Sequence, residues 1–386
     1  MGTDRLIYIR TDGNSNIAAG HLVRSLSIAQ NCLKLGMQVC FLLSDEESQH
    51  LLEGFLTESL QDNSALSLRI LETAQYNDLE KELPEILELL DKHAASKQNH
   101  TPSDIGLPVY LLDSYFVTEN YLKQLSTIAK VAYIDDLQLF DYPVDLVINY
   151  DVIPDNALPA YHAAYQKTGK ALLGAAYTPL RSQFEGKVIS IKENVSDILV
   201  TTGGSDPYHF CVSFIQAYAE KFKENILCPI PTLHVVIGRL SKDKEQLSHL
   251  AREHSFLKLY ENVTDMATLM STCDLAVSAA GTTLYELCAL GVPAISFTMA
   301  DNQIISAKAF EDAEVISCGG DIRTDKEQVL QQILTFIQHM SEGADSSSPK
   351  QPSGTSYQNR LHAHKTMRSL IDGKGALRIA DELSKL

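Results

Sequence analysis

The residues best placed for chemistry begin with the segment Arg10 to Leu26, RTDGNSNIAAGHLVRSL. It follows the apolar run LIYI and opens a stretch in which Leu22, Leu26, Ala29 and Leu33 recur at helical spacing. A loop leading from a parallel strand into a helix is where α/β folds bind ligands. The helix start there offers unpaired N–H groups and the positive end of a dipole. Gly13, Ala18, Ala19 and Gly20 are small enough for a ligand to approach the backbone, and no GxGxxG pattern marks a dinucleotide site. His21 stands at the mouth of this loop with the chemistry of a general base near neutral pH. A histidine that only caps or packs at a helix start is an equal alternative. Arg24 lies one turn further on the same face, as an anion ligand or, favoured by residue type alone, as a surface ion pair.

Two more glycine turns follow predicted strands. In TTGGSDP (201–207), Gly203 and Gly204 suit either a backbone nest for an anion or an ordinary turn, and Asp206 before Pro207 reads as a helix cap. In SAAGTTLYELCALGVPAIS (278–296), Ala279 to Thr283 form a small-residue loop whose helix start suits a phosphate or diphosphate. Glu286 sits one turn into that helix, as a ribose ligand or on a solvated face, and Asn302 and Gln303 follow the next strand. Asp113-Ser114-Tyr115 and Asp135-Asp136 also end predicted strands. Neighbouring side chains on extended backbone point apart, which argues against chelation of one metal ion.

The elements that must position these residues alternate between β-branched runs and amphipathic segments. Strands are expected at 6–9, 39–43, 109–113, 131–136 and 144–149, then in a second series at 197–204, 233–238, 274–279 and 293–297. Asn77 to Lys92 reads as a charged helix that Pro84 kinks or restarts. This alternation predicts two doubly wound parallel-sheet domains, and 386 residues suit two domains. The expected division is 1–187 and 188–386, with the last helix able to pack back on the first domain. The segment 341–356, rich in Ser, Gly and Pro, reads as a surface insertion.

Lys and Arg number 32 against 49 Asp and Glu, a net charge of −17. That excludes a general nucleic-acid or anionic-membrane binder, which needs a positive surface. Seven cysteines without CxxC spacing fit reduced thiols, and no apolar stretch reaches the ~18–20 residues of a membrane span. A soluble cytoplasmic protein without nucleic-acid or membrane partners is the expectation.

The motifs together resemble the UDP-sugar hydrolases of pseudaminic acid biosynthesis, relatives of GT-B glycosyltransferases such as MurG. The resemblance rests on Arg10-Thr11-Asp12 with Ile17 to Arg24, Asp113-Ser114-Tyr115, Ile134-Asp135-Asp136, and Leu173-Gly174 with Tyr177, Leu180-Arg181 and Phe184. It continues in Gly203 to Pro207, Asn262-Val263 with Met266, Gly281 to Glu286, Asn302-Gln303 and Ile371 to Ala376. It departs at Ala18, where the family has Gly, and at the insertion 341–356.

The resemblance implies a GT-B-like pair of Rossmann-like domains facing across a cleft. It implies hydrolysis of UDP-2,4-diacetamido-2,4,6-trideoxy-β-L-altropyranose with inversion and without a metal or cofactor. By the same token His21 is the base, and Asp12, Gly20, Arg24, Tyr115, Arg181, Asn302 and Gln303 contact the sugar or the water. UDP falls to Gly203, Gly204, Val263, Met266, Gly281, Thr282, Thr283 and Glu286, with Glu286 on the ribose and Val263 and Met266 flanking uracil. No partner protein is implied, and a monomer is expected. A GT-B glycosyltransferase using the same donor, or a non-catalytic nucleotide-sugar binder, are the alternatives.

Overall fold

The computed structural model describes residues 5–14, 17, 19–96, 107–223, 230–341 and 355–386. Ala18, Cys228 and residues 342–354 of the insertion lie outside them. The chain forms two compact units, Met1–Ser182 with Lys374–Leu386, and Gln183–Gly373.

In the first unit, strands β1 (Leu6–Thr11), β2 (Gln38–Leu43), β3 (Leu66–Ile70), β4 (Val109–Asp113), β5 (Lys130–Ile134), β6 (Leu146–Asn149) and β7 (Lys170–Leu173) form one parallel sheet. Its order is β3-β2-β1-β4-β5-β6-β7. Chain progress reverses between β1 and β4, and a crevice opens beyond the carboxyl ends of strands at such a point. β1 and β4 are paired so that Thr11 stands opposite Asp113. The segments after these two strands therefore meet.

The sheet is covered on both faces, as parallel sheets must be. Ile7, Ile9, Val39 and Leu111 pack against Leu22, Leu26 and Ile28 of the helix Gly20–Lys34. Tyr8, Tyr110 and Leu112 pack with Leu83, Ile86 and Leu90 on the other face. The helix Leu83–Ser96 begins just before Pro84, after a separate 3-10 turn at Leu79–Lys81. Pro84 thus opens a helix, where its missing N–H costs nothing.

The final helix, Gly375–Lys385, joins this unit and inserts Ala376, Ile379, Ala380 and Leu383 into the same core as Leu22 and Leu26. A side chain at Gly375 would lie 2.1 Å from the Thr178 carbonyl oxygen, so only glycine allows that approach.

The second unit holds β8 (Asp197–Thr201), β9 (Thr232–Ile237), β10 (Leu257–Glu261), β11 (Leu275–Ala279), β12 (Ala294–Thr298) and β13 (Ser317–Asp321). They form a parallel sheet in the order β10-β9-β8-β11-β12-β13. Here the reversal falls between β8 and β11, the strands that lead into the Gly203-Gly204 and Gly281 turns. Among the described residues no helix is long and apolar enough to cross a membrane. Cys32, Cys40, Cys211, Cys273 and Cys288 are buried free thiols, and Cys318 is a half-buried one.

Ile379 is fully buried at the junction of the last helix with the first core. Ile379→Ala is expected to lower the unfolding free energy by about 2–5 kcal/mol in urea denaturation. A change below about 0.5 kcal/mol would detach that helix from the core.

Candidate active site

His21 is the second residue of the helix Gly20–Lys34 and is only 4% exposed. Its Nδ1 lies 2.5 Å from Oδ1 of Asp113, the last residue of β4. Nη2 of Arg24 lies 3.0 Å from the same nitrogen but gives a shorter hydrogen bond, 2.5 Å, to Asp113 Oδ1. The carboxylate is the nearer neighbour and can only accept, so Nδ1 carries the proton and donates to Asp113. Nε2 is then the basic nitrogen. The imidazole also meets the Tyr115 ring edge-on, with centroids 4.5 Å apart.

Arg24 is the correction to the surface-pair reading. Its guanidinium side chain is 12% exposed, and it reaches Asp113 through Nε (2.7 Å) as well as Nη2. Nη1 donates to Asp136 (2.7 Å) and to the Tyr150 hydroxyl. Ser25 adds a hydroxyl donor to Asp113 at 3.1 Å. Burial opposes ionisation of Asp113, but Arg24, and after it His21, hold the carboxyl well below its usual range. Asp113 is therefore a fixed negative charge beneath the imidazole.

Asp135 and Asp136 part as neighbours on extended backbone should. Asp136 meets Arg24, whereas Asp135 accepts from the hydroxyls of Tyr142 (2.9 Å) and Tyr165 (2.7 Å) and anchors its own loop. The described residues contain no group of three or more His, Cys, Asp or Glu side chains able to hold a metal ion.

A second buried network braces the loop before His21. Arg10 is fully buried and forms two-pronged hydrogen bonds to Glu82, with contacts of 2.8 to 3.0 Å. It also donates to Asp12 Oδ2 at 2.5 Å, while Asp12 Oδ1 accepts the Ser44 N–H at 2.7 Å. Both Asp12 oxygens thus serve the protein, and the carboxylate ties the loop to the end of β2. Tyr121 donates to Glu82 and meets the Tyr110 hydroxyl, each at 2.8 Å.

Asp12, Ile17, His21, Tyr76, Asp113, Ser114, Tyr115 and Phe116 enclose a hollow of about 10 Å³. That is near the least volume that holds one water molecule. Gly20 borders open space at the helix start. Burial, and then Asp136, push the Tyr115 phenol up to about 12, so it stays protonated. Arg181 is half-buried in the segment after β7 and does not line this hollow.

In the second unit, every expected UDP residue follows the carboxyl end of a strand. Gly203 takes a positive φ of 79°, and a Cβ on Gly203, Gly204 or Gly281 would meet no atom within 4 Å. Gly238 backs the first turn so closely that its own Cβ would lie 2.5 Å from Gly203. Asp206 accepts the N–H groups of Phe210 and Cys211 at 2.8 and 2.9 Å, so it is a helix cap. Glu286 stands half-buried in the first turn of the helix Thr283–Leu290. The Gly281 N–H is given to the Ala279 carbonyl at 2.8 Å. Among the described residues only Thr282 and Thr283, of this trio, keep N–H groups with no partner in the protein. Val263 and Met266 flank the Asp265 cap of the next helix and are half-buried. Asn302 is exposed, and the Gln303 side-chain oxygen accepts the Met299 N–H at 2.8 Å.

Residues 198–361 match the glycosyltransferase family 28 C-terminal domain. The spore coat polysaccharide biosynthesis protein SpsG of Bacillus subtilis is 28% identical over 224 residues, 58% of each chain. A Helicobacter pylori protein is 30% identical over 156 residues, 40% of this chain and 27% of its own. It is named pseudaminic acid cytidylyltransferase and UDP-2,4-diacetamido-2,4,6-trideoxy-β-L-altropyranose hydrolase. The resemblance read from the motifs therefore stands, as a distant relationship. The chain spans little more than half the length of these relatives, or less. The structure of MurG from Acinetobacter baumannii matches 99% of this chain and 100% of its own with a TM-score of 0.60 at 15% identity. The fold is the two-domain α/β fold of GT-B glycosyltransferases.

Asp113→Asn should cost about 3 kcal/mol, because Arg24 loses its buried carboxylate partner and keeps only the half-buried Asp136. Asp113 titrates below its unfolded value, so its contribution is complete above about pH 4 and lost as pH falls further. Thermal unfolding followed between pH 6 and 2 should show a shallower acid loss in Asp113→Asn than in the parent. Parallel curves would contradict the assigned charge.

Proposed function

We propose that the protein hydrolyses the anomeric C–O bond of a UDP-linked 2,4-diacetamido-2,4,6-trideoxy sugar, with inversion, releasing UDP and the free sugar. The observation that carries this reading is the His21–Asp113 pair at a hollow of water size. Nε2 of His21 takes a proton from a water as that water attacks the anomeric carbon. Asp113 holds the ring in the productive tautomer and stabilises the imidazolium that forms. Arg24 keeps Asp113 ionised and in place. The name of the Helicobacter pylori relative supplies the sugar and the pathway, pseudaminic acid formation.

UDP is assigned to the second unit. The Thr282 and Thr283 N–H groups and the Gly203-Gly204 turn take the diphosphate, whose growing charge needs fixed donors. Glu286 takes the ribose hydroxyls, and Val263 and Met266 take the uracil. Tyr115, Arg181 and Asn302 are assigned to the sugar. No metal enters the scheme: helix-end dipoles and backbone N–H groups are assigned to the diphosphate charge.

A second reading is transfer of the sugar to a soluble acceptor, favoured by the glycosyltransferase family 28 match. In that case His21 deprotonates an acceptor hydroxyl. One assay separates the two. The protein incubated with the UDP-sugar alone should release UDP and free sugar in equal amounts, measured by chromatography. Release only with an added acceptor would establish transfer, and binding without turnover would leave a nucleotide-sugar binder. His21→Leu should cut kcat by about 10²–10⁴-fold and leave UDP affinity within about twofold. Preserved turnover in His21→Leu would remove the histidine from the base role.

A further inference from the structure

The loop assigned to uracil is gripped by a segment to which the hydrolytic scheme gives no part. The loop runs from the end of β10 to the helix Met266–Thr272 and carries Val263 and Met266. Gln183, the first residue of the second unit, holds it at two points. The Gln183 side-chain oxygen accepts the Ala267 N–H at 3.0 Å, and its side-chain nitrogen donates to the Thr264 carbonyl at 3.4 Å. One amide group, both donor and acceptor, thus fixes the backbone on either side of Asp265 and Met266.

Lys187 adds a second attachment. Its Nζ donates to the Thr268 hydroxyl at 2.7 Å and lies 3.6 Å from Asp265. The Lys187 carbonyl accepts from Arg368 at 2.9 Å, and Arg368 also donates to the Ala289 carbonyl at 2.6 Å. Ala289 belongs to the helix Thr283–Leu290, which carries Glu286. The segment 183–187 therefore links the proposed uracil loop to the proposed ribose and diphosphate helix.

The two attachments are unequal. The Lys187 contacts are exposed, where water and salt weaken them. Ala267 is fully buried, so its N–H needs a partner in the protein, and Gln183 is that partner. A loop already held in its binding form has less ordering to lose when a ligand arrives.

We propose that Gln183 is a positioning residue for the nucleoside: it fixes the backbone from Thr264 to Ala267, and with it the arrangement of Val263 and Met266 that receives the base. This rests on the assignment of uracil to that loop and adds the residue that holds the loop. The hydrogen bonds of Gln183 go to the loop and not to Thr282 or Thr283, so its loss falls on the base and spares the diphosphate.

The test measures Kd for UDP and for uridine in the parent, Gln183→Met and Lys187→Met, by calorimetry and competition. Gln183→Met keeps the length of the side chain and removes both hydrogen bonds. It should weaken uridine and UDP by the same factor, about 5- to 10-fold. Lys187→Met should leave both within about twofold. Unchanged uridine affinity in Gln183→Met, or a loss for UDP larger than that for uridine, overturns the positioning role and leaves the UDP assignment standing. An equal loss in Lys187→Met overturns Gln183 as the residue that holds the loop. A parent that binds neither ligand overturns the UDP assignment itself, and this role with it. Hydrogen exchange on the parent needs no variant: the Ala267 N–H should already exchange slowly without ligand, and fast exchange there overturns the grip.

Discussion

The site depends on one interaction, the hydrogen bond from His21 Nδ1 to Asp113. It exists because β1 and β4 are neighbours and Thr11 stands opposite Asp113. The helix after β1 brings His21 to the end of β4, at the point where the sheet reverses its chain order. A buried carboxylate alone would protonate or destabilise the fold. Arg24, one turn after His21, prevents both by lying against Asp113 and Asp136 together. His21, Asp113 and Arg24 are thus a single electrostatic unit, and no member can be removed without unbalancing the others.

The same logic extends outward. Arg10 and Glu82 are both fully buried, and their pairing fixes the backbone that leads into the His21 loop. Buried pairs of this kind add little net stability compared with apolar packing, but losing one partner is costly. Their effect is to hold one geometry. In a chain with a net charge of −17, the proposed diphosphate site relies on local donors. Thr282 and Thr283 N–H groups, open glycines and helix dipoles act over a few ångströms, and no basic surface is required.

Much of this was legible in the sequence. Central strands such as VYLLD and DLAVSA are continuous apolar runs because they are buried on both faces, and they were recognisable for that reason. The edge strands β3, β7, β10 and β13 were not. LSLRI and KALL are half-exposed, and SCGGD has almost no apolar side chain, so neither composition nor periodicity distinguishes them from loops. Asp113 is visible as an acid ending a strand and as part of a family motif, but nothing in its spacing points to a histidine partner. Its true neighbour is 92 residues away, and only the strand order β1-β4 joins them. Arg24 looked like a surface residue because spacing shows a shared helix face and not what covers it. Gly281 seemed a free donor until the turn geometry gave its N–H to Ala279.

The central claim, that Asp113 holds His21 with Nδ1 protonated and Nε2 basic, can be read directly from the imidazole nitrogens. Histidine-selective ¹⁵N labelling, with His21 assigned by comparison with His21→Leu, distinguishes the two ring nitrogens by chemical shift. The expected result is a neutral ring with a protonated Nδ1 and an unprotonated Nε2, and loss of that fixed tautomer in Asp113→Asn. A proton on Nε2 with Nδ1 bare, or a tautomer mixture unaffected by Asp113→Asn, would contradict it.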